Sequence, residues 1–192
     1  MALNDNALCT VQEVKDYYGM TGTDASTDTL IEEVINGASQ IFETYCDRAF
    51  LTDTYTDYYD GKGKSVLFVD NSPITTISGI WDDTEWNWAT TSEISSANYR
   101  IADGNRVVFR DTVLNDGDQN VKIIYDAGYA SVPDDLRQTC TIEVARIVKE
   151  SLNKTFYISS KQDASGSVSY TSQDFLPATF IVLNKYKRKY VL

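Results

Sequence analysis

Histidine is absent from the 192 residues. That removes the side chain that most often acts as a general base near neutral pH and most often ligates metals. Cysteine is scarce. Cys9, Cys46 and Cys140 are odd in number, widely spaced and without a C-x-x-C pair, so they read as reduced, packed thiols of a cytosolic protein. No apolar run approaches the roughly 20 residues that span a bilayer, so no membrane role is expected. The opening stretch MALNDNALCT has neither the basic region nor the apolar stretch of a signal peptide. A protein made in the cytoplasm and not secreted by that route is the expectation. Positive charge is also in deficit, with 17 basic against 28 acidic residues and a net charge of -11. Residues 1–60 hold twelve acids and only Lys15 and Arg48 as bases. A surface of that kind repels phosphate and cannot grip a duplex by basic contacts. Beside DNA, it suits only a passage through which the DNA must move without sticking.

What is present is a composition able to fold. At 42% hydrophobic and 12% aromatic, the chain can bury a core and is unlike a disordered one. Its length suits one domain with an extension. In TVQEVKDYYG, Thr10 and Glu13 form a capping-box signal and Gly19 a stop. A second helix is expected from about Asp28 to Ala49, with Thr27 as N-cap. Its apolar stripe, from Leu30 through Ile41 to Cys46, is wider than one core face needs. That width fits either deep burial or contact on two sides. From Leu51 the period falls to two, and TDTYTDYY, SVLFVD, ITTISGIW, NYRIA, RVVFR and NVKIIYD read as six short strands separated by Gly, Asn and Asp turns. VPDDLRQTCTIEVARIVKESLNK is the clearest helix, with Pro133 at its first position and Asp134 and Asp135 at its positive end. SSKQDASGSVSYTSQD, with six serines and one glycine, reads as a flexible arm. A short helix beginning at Pro177 follows.

The expected fold is therefore α+β. It has an N-terminal helical pair, a small antiparallel β meander over about 51–126, and a long helix packing on both. An extended arm and a short C-terminal helix complete it. Residues 1–153 form the core domain, and 154–192 the arm and a docking segment.

No stretch assembles an active site. GKGKS at 61–65 resembles a phosphate loop, but position 58 is Tyr58 where that motif needs glycine, and a strand follows where it needs a helix. WDDTEWNW at 81–88 sets Asp82, Asp83 and Glu85 among Trp81, Trp86 and Trp88. At a hairpin tip those acids are solvated, and the tryptophans suit a protein contact better than a sugar platform. LNDGDQN at 114–120 lacks the glutamate that closes an EF-hand loop. There is no G-x-S-x-G and no histidine to serve a nucleophilic serine. No catalytic residue, metal ligand or cofactor is assigned, and an enzyme is not expected. A carbohydrate-binding or hydrolytic domain built on the 81–88 loop is the alternative from another class.

The basic end stands apart from the acidic remainder. Lys185, Lys187, Arg188 and Lys189 lie within five residues, next to apolar Phe180, Ile181, Leu183 and Tyr186. A tether followed by an apolar, cationic segment has the character of a docking peptide.

The order of these motifs resembles the head–tail connector family of tailed bacteriophages, also called head-completion or adaptor proteins. ALCTVQEVKDYYG with DTLIEEVINGASQIFETYCDRAF resembles the paired N-terminal helices. YYDGKGKSVLFVDNSPITTISGIW resembles the hairpin and strand that follow, and NVKIIYDAGYASVPDDLRQTCTIEVARIV the closing strand, turn and helix. LPATFIVLNKYKRKYV resembles the terminal helix. The WDDTEWNW region matches no family feature. The resemblance implies a non-enzymatic virion protein of the neck, assembled in the host cytoplasm and forming a ring, typically of twelve copies. That ring would lie beneath the portal protein and extend the DNA channel, DNA passing without specific binding. The next neck or tail-completion protein would dock on it. It further implies that Phe180, Ile181, Leu183, Lys185, Tyr186, Lys187, Arg188 and Lys189 reach the portal. Trp81, Trp86 and Trp88 would then be candidates for an inter-subunit or neck contact. A stopper or tail-completion protein is the alternative within the neck; such proteins tend to be small β barrels, which three helices around the sheet argue against.

Overall fold

The structure, a computed structural model, describes residues 2–21, 24–153, 160–163, 166–169 and 175–188. Its contacts divide the chain into two units, residues 1–47 with 132–187, and residues 48–131 with 188–192.

The first unit is helical. Helix α1 (Val11–Tyr18) begins at the expected capping box. Glu13 N–H donates to Thr10 Oγ1 (3.2 Å), and Thr10 N–H donates to Glu13 Oε2 (2.7 Å). Gly19 ends it in the left-handed conformation. Helix α2 (Ala25–Cys46) starts three residues before the expected point, because Asp24 rather than Thr27 caps it. The Asp24 carboxylate accepts from Ser26 N–H and from the Thr27 hydroxyl, so Thr27 serves the cap from inside the helix. Helix α3 (Asp134–Leu152) has Pro133 at the cap itself, one residue outside the expected position. Pro133 is extended (ψ 140°), and its carbonyl accepts from Arg137 N–H to close the first turn.

Helix α4 (Pro177–Tyr186) packs on α2 and α3. Ile31, Ile35, Phe42 and Cys46 of α2, Leu136, Cys140, Val144 and Val148 of α3, and Leu183 of α4 are all fully buried. The α2 stripe is thus mostly internal, but Ile41 is 52% exposed. Within 154–174, Ser160–Asp163 (β7) and Gly166–Ser169 (β8) pair as an antiparallel hairpin, Ser160 opposite Ser169 and Asp163 opposite Gly166. The serine-rich composition of the arm is compatible with this backbone pairing, which needs no apolar side chains.

The second unit holds the six strands expected from the sequence: β1 (Asp53–Gly61), β2 (Val66–Phe68), β3 (Ile74–Asp82), β4 (Tyr99–Ala102), β5 (Arg106–Phe109) and β6 (Gly117–Ala127). They do not pair in meander order. They form two three-stranded antiparallel sheets, β1-β6-β3 and β2-β5-β4. The last strand, β6, buries Val121, Ile123, Tyr125 and Ala127 and takes the central place of its sheet. Leu67, Val107 and Phe109 from one sheet join Ile80, Val121, Ile123 and Tyr125 from the other in a single core. The buried Tyr125 hydroxyl donates to Asp57 Oδ2 (2.6 Å), so its polar end is satisfied.

The turn after β6 depends on Gly128. Its φ is +124°, and a Cβ there would stand 2.5 Å from the Leu51 carbonyl oxygen. That close approach lets Tyr129 bridge Leu51. Gly128→Ala is expected to cost about 1–3 kcal/mol through strain and collision. Thermal unfolding of the variant measures it, and an unchanged midpoint would contradict the assignment.

Candidate functional site

Two surfaces carry the residues singled out from the sequence, one in each unit.

In the strand unit, the 81–88 stretch is not a simple hairpin tip. Trp81 and Asp82 still belong to β3, and the chain then runs through two short 3-10 turns (Thr90–Ser92 and Ser96–Asn98) before β4. The acids of this stretch are hydrogen-bond acceptors within the fold. Asp82 Oδ2 accepts from Asn115 N–H (2.7 Å), and its Oδ1 from Asn120 Nδ2 (3.0 Å). Those bonds also fix the 114–120 turn, where Asn120 Oδ1 accepts from Gly61 N–H (2.7 Å). Asp83 accepts from Glu85 N–H (3.0 Å), Trp88 N–H (2.9 Å) and Ser92 Oγ (3.1 Å). The Glu85 N–H above all holds the Asp83 carboxyl below the usual carboxylate range. That is the opposite of what a general acid needs at neutral pH.

A depressed folded-state value means that the loop gains from Asp83 ionisation above the ordinary carboxylate range. The gain is lost as pH falls through the depressed value. The tryptophan emission of the loop is therefore expected to hold steady to about pH 4 and to change below it. Asp83→Ala should show the altered emission already at neutral pH. Identical titrations of the two proteins would contradict this role.

The three tryptophans are placed differently. Trp81 is half-buried in β3, and Lys122 Nζ sits 4.9 Å from its ring centre. A Cβ on Gly79 would stand 2.4 Å from the same ring, so glycine is required there. Trp88 packs against Tyr58, ring centres 5.4 Å apart and planes tilted by 57°. Trp86 is 57% exposed, with Nε1 donating to the Asp118 carbonyl (3.1 Å). Sequence reasoning did not single out Tyr58, which period two places on the outer face of β1. After GKGKS, strand β2 follows as the chain pattern required. Among the described residues, no group of three or more His, Cys, Asp or Glu side chains is arranged to hold a metal ion. Nor is any described helix long and apolar enough to cross a membrane.

In the helical unit, the expected docking residues divide between inside and outside. Leu183 is fully buried. Phe180 is half-buried, with Phe175 at 6.3 Å and Tyr45 at 5.4 Å between ring centres. The Tyr186 hydroxyl donates to Asp135 Oδ1, and Lys185 Nζ lies 3.5 Å from Asp135 Oδ2. The tyrosine bond first, then the lysine, holds the Asp135 carboxyl below its usual range. Lys187 Nζ lies 4.8 Å from the Tyr45 ring centre. Arg188 belongs by its contacts to the strand unit, where its Nη2 donates to Asn71 Oδ1 (3.1 Å). Lys189 lies outside the described residues. Ile181 is 67% exposed. The outer face of α4 thus presents Pro177, Ala178, Ile181, Asn184 and Lys185.

Glu143 holds this helix in place, a role that residue type and spacing barely signal. It sits on α3, fully buried. It accepts from Leu176 N–H (2.6 Å) and the Thr179 hydroxyl at the start of α4, and from Arg146 Nε (3.0 Å). A carboxylate at a helix N-terminus satisfies donors that otherwise lack partners and meets the positive end of the dipole. A glutamate inside an apolar helix stripe was the one available signal.

The fold is shared with solved structures. The neck of an empty gene transfer agent particle computed with C6 symmetry contains a chain 16% identical, at TM-score 0.60, covering 100% of this chain and 98% of that one. The neck of the native particle computed with C12 symmetry contains one 16% identical, at TM-score 0.58, covering 100% and 94%. The virion of the native gene transfer agent particle contains one 13% identical, at TM-score 0.58, covering 100% and 95%. No curated protein sequence matches. The sequence pattern described as HCP, head completion protein, matches residues 7–189, from the residue before buried Leu8 to the basic end, and the chain belongs to that family.

Proposed function

We propose that this protein is a structural component of a virion neck, one copy of a ring that joins a head to the next neck or tail protein. The observation that carries the reading is the family match over residues 7–189, which spans both units and the basic end together. The shared fold with chains of neck assemblies computed with C6 and C12 symmetry supports a ring, and twelve copies is the number we favour. No chemistry is required of such a part, and the carboxylates of the 81–88 loop are engaged in holding the chain.

A ring needs a heterologous contact repeated between neighbours. Ile41 is a candidate for it, as a large apolar side chain left exposed beside the exposed Gln40 and Thr44 on α2. Ile41→Asp is expected to leave the subunit's melting temperature within about 2 °C, since surface substitutions cost little. Assembly with portal-bearing heads should drop. Mass photometry or negative-stain microscopy distinguishes rings from monomers, and unimpaired rings would remove Ile41 from the interface.

The outer face of α4 is the proposed portal contact. Lys185 and Lys187 supply charge, and Ile181 the apolar anchor. Charge reversal should weaken docking most at low ionic strength, where screening is least. A salt-independent loss would transfer the weight to Ile181. The acidic excess of residues 1–60 suits the DNA-facing side of a channel through which DNA slides.

A further inference from the structure

An open groove in the strand unit is lined by Tyr58, Trp86, Trp88, Asp118 and Gln119. The neck reading offers its tryptophans as a contact but says nothing of the chemistry that would fill it. Among the described residues six non-glycine positions have positive φ, and three of them line this groove: Trp86 (55°), Trp88 (51°) and Gln119 (45°). Large side chains rarely adopt that backbone, and it persists only where surroundings enforce it. The enforcement is visible. Asp83 takes the Trp88 and Glu85 amides, Asp60 takes the Gln119 amide (2.9 Å), and the Asp118 carbonyl takes the Trp86 indole. The result is an exposed aromatic surface, with Trp86 57% and Tyr58 45% exposed. A loop with no external partner would gain by burying those rings.

The charge around the groove selects the partner. Asp118 lines it, and Asp60, Glu85 and Asp116 are exposed at neighbouring positions. The cations nearby are exposed Lys62 and Lys64 of the 61–65 turn and Lys122, which already lies over the Trp81 and Trp88 rings at 4.9 and 5.9 Å. Those rings therefore accept a cation by their faces within the fold itself. From the aromatic walls and the acidic rim together, we infer that the groove is a docking site for an arginine-bearing segment of another protein. The guanidinium stacks on Trp86 and Tyr58 and pairs with Asp118. A planar guanidinium can lie on an aromatic face and pair with a carboxylate at once, which an ammonium does less well. The inference uses the neck reading only to suggest that the segment's owner is another neck component.

The test uses the full-length subunit and N-acetylarginine amide as probe, followed by the indole Nε1–H resonances. Saturable shifts at Trp86 and Trp88 in the millimolar range are expected, weaker with N-acetyllysine amide. They should be lost in Trp86→Ala and reduced several-fold in Asp118→Asn, whose exposed positions make misfolding easy to exclude by the unchanged remainder of the spectrum. No shift with the arginine probe overturns the proposal. So does an equal response to a chitin or maltose oligosaccharide, which would restore the sugar reading. Shifts that appear with protein concentration alone would assign the groove to a second copy and also overturn it. Because the isolated subunit is measured, the outcome is separate from whether the protein forms a neck ring.

Discussion

Glu143→Ala is expected to cost about 3–5 kcal/mol and to release α4 from the helical unit. A buried carboxylate that loses its side chain leaves its donors buried and unmatched, which is the costly half of breaking a buried pair. Here those donors are the Leu176 N–H and the Thr179 hydroxyl, while Arg146 keeps Glu150 at 2.9 Å. Hydrogen exchange reads the result locally. Amides of residues 175–187 should lose protection while those of β6 keep theirs. Glu143→Gln retains one carbonyl acceptor and should lose only about 1–2 kcal/mol. Full protection of 175–187 in the alanine variant would show that apolar packing around Leu183 holds the helix alone.

Ile181→Asp combined with Lys185→Glu is expected to abolish attachment to portal-bearing heads while leaving a folded subunit. Both side chains lie on the exposed face of α4, so the core is untouched. A loss of about 1 kcal/mol per copy is small for one subunit. Repeated around a ring it becomes decisive, because the contacts act at one another's effective concentration. The structure changes which variant makes this test clean. Deleting 176–192 would be the choice for a free docking peptide. It also strips Leu183 and Thr179 from the helical core and removes the Leu183 carbonyl to which the buried Cys46 thiol donates. Loss of attachment by the truncated chain could then be loss of folding. Co-sedimentation of the double variant with heads answers the question, and undiminished attachment would discard the α4 face as the portal contact.

Much of the fold was legible because local signals were strong. The Thr10–Glu13 capping box, the left-handed Gly19 and the alternating strands all sit where the sequence puts them. Boundaries slipped where two caps competed, as with Asp24 and Thr27, since either oxygen can meet the first free amides. Strand order was not legible. Which strand takes the centre is decided by packing between residues distant in sequence, and β6 wins through Val121, Ile123 and Tyr125.

The candidate sites were legible as residue types and not as roles. Acids among tryptophans read as solvated groups of a hairpin tip, whereas Asp82 and Asp83 are acceptors for backbone and amide groups that only the folded turn brings near. The C-terminal apolar residues read as a docking face. Helical spacing does place Ile181 outward and Leu183 inward, yet only the packing of α2 and α3 reveals which side is covered. Glu143 was hidden for the same reason, since the α4 groups it holds lie more than thirty residues away.

The most direct test of a neck ring is cryo-microscopy of the head–tail vertex of the particle that carries this chain. The account predicts a closed ring of copies between head and tail, with α4 of each copy turned to the head-side partner. Particles whose necks contain no density for this fold, or a single copy outside any ring, would contradict it.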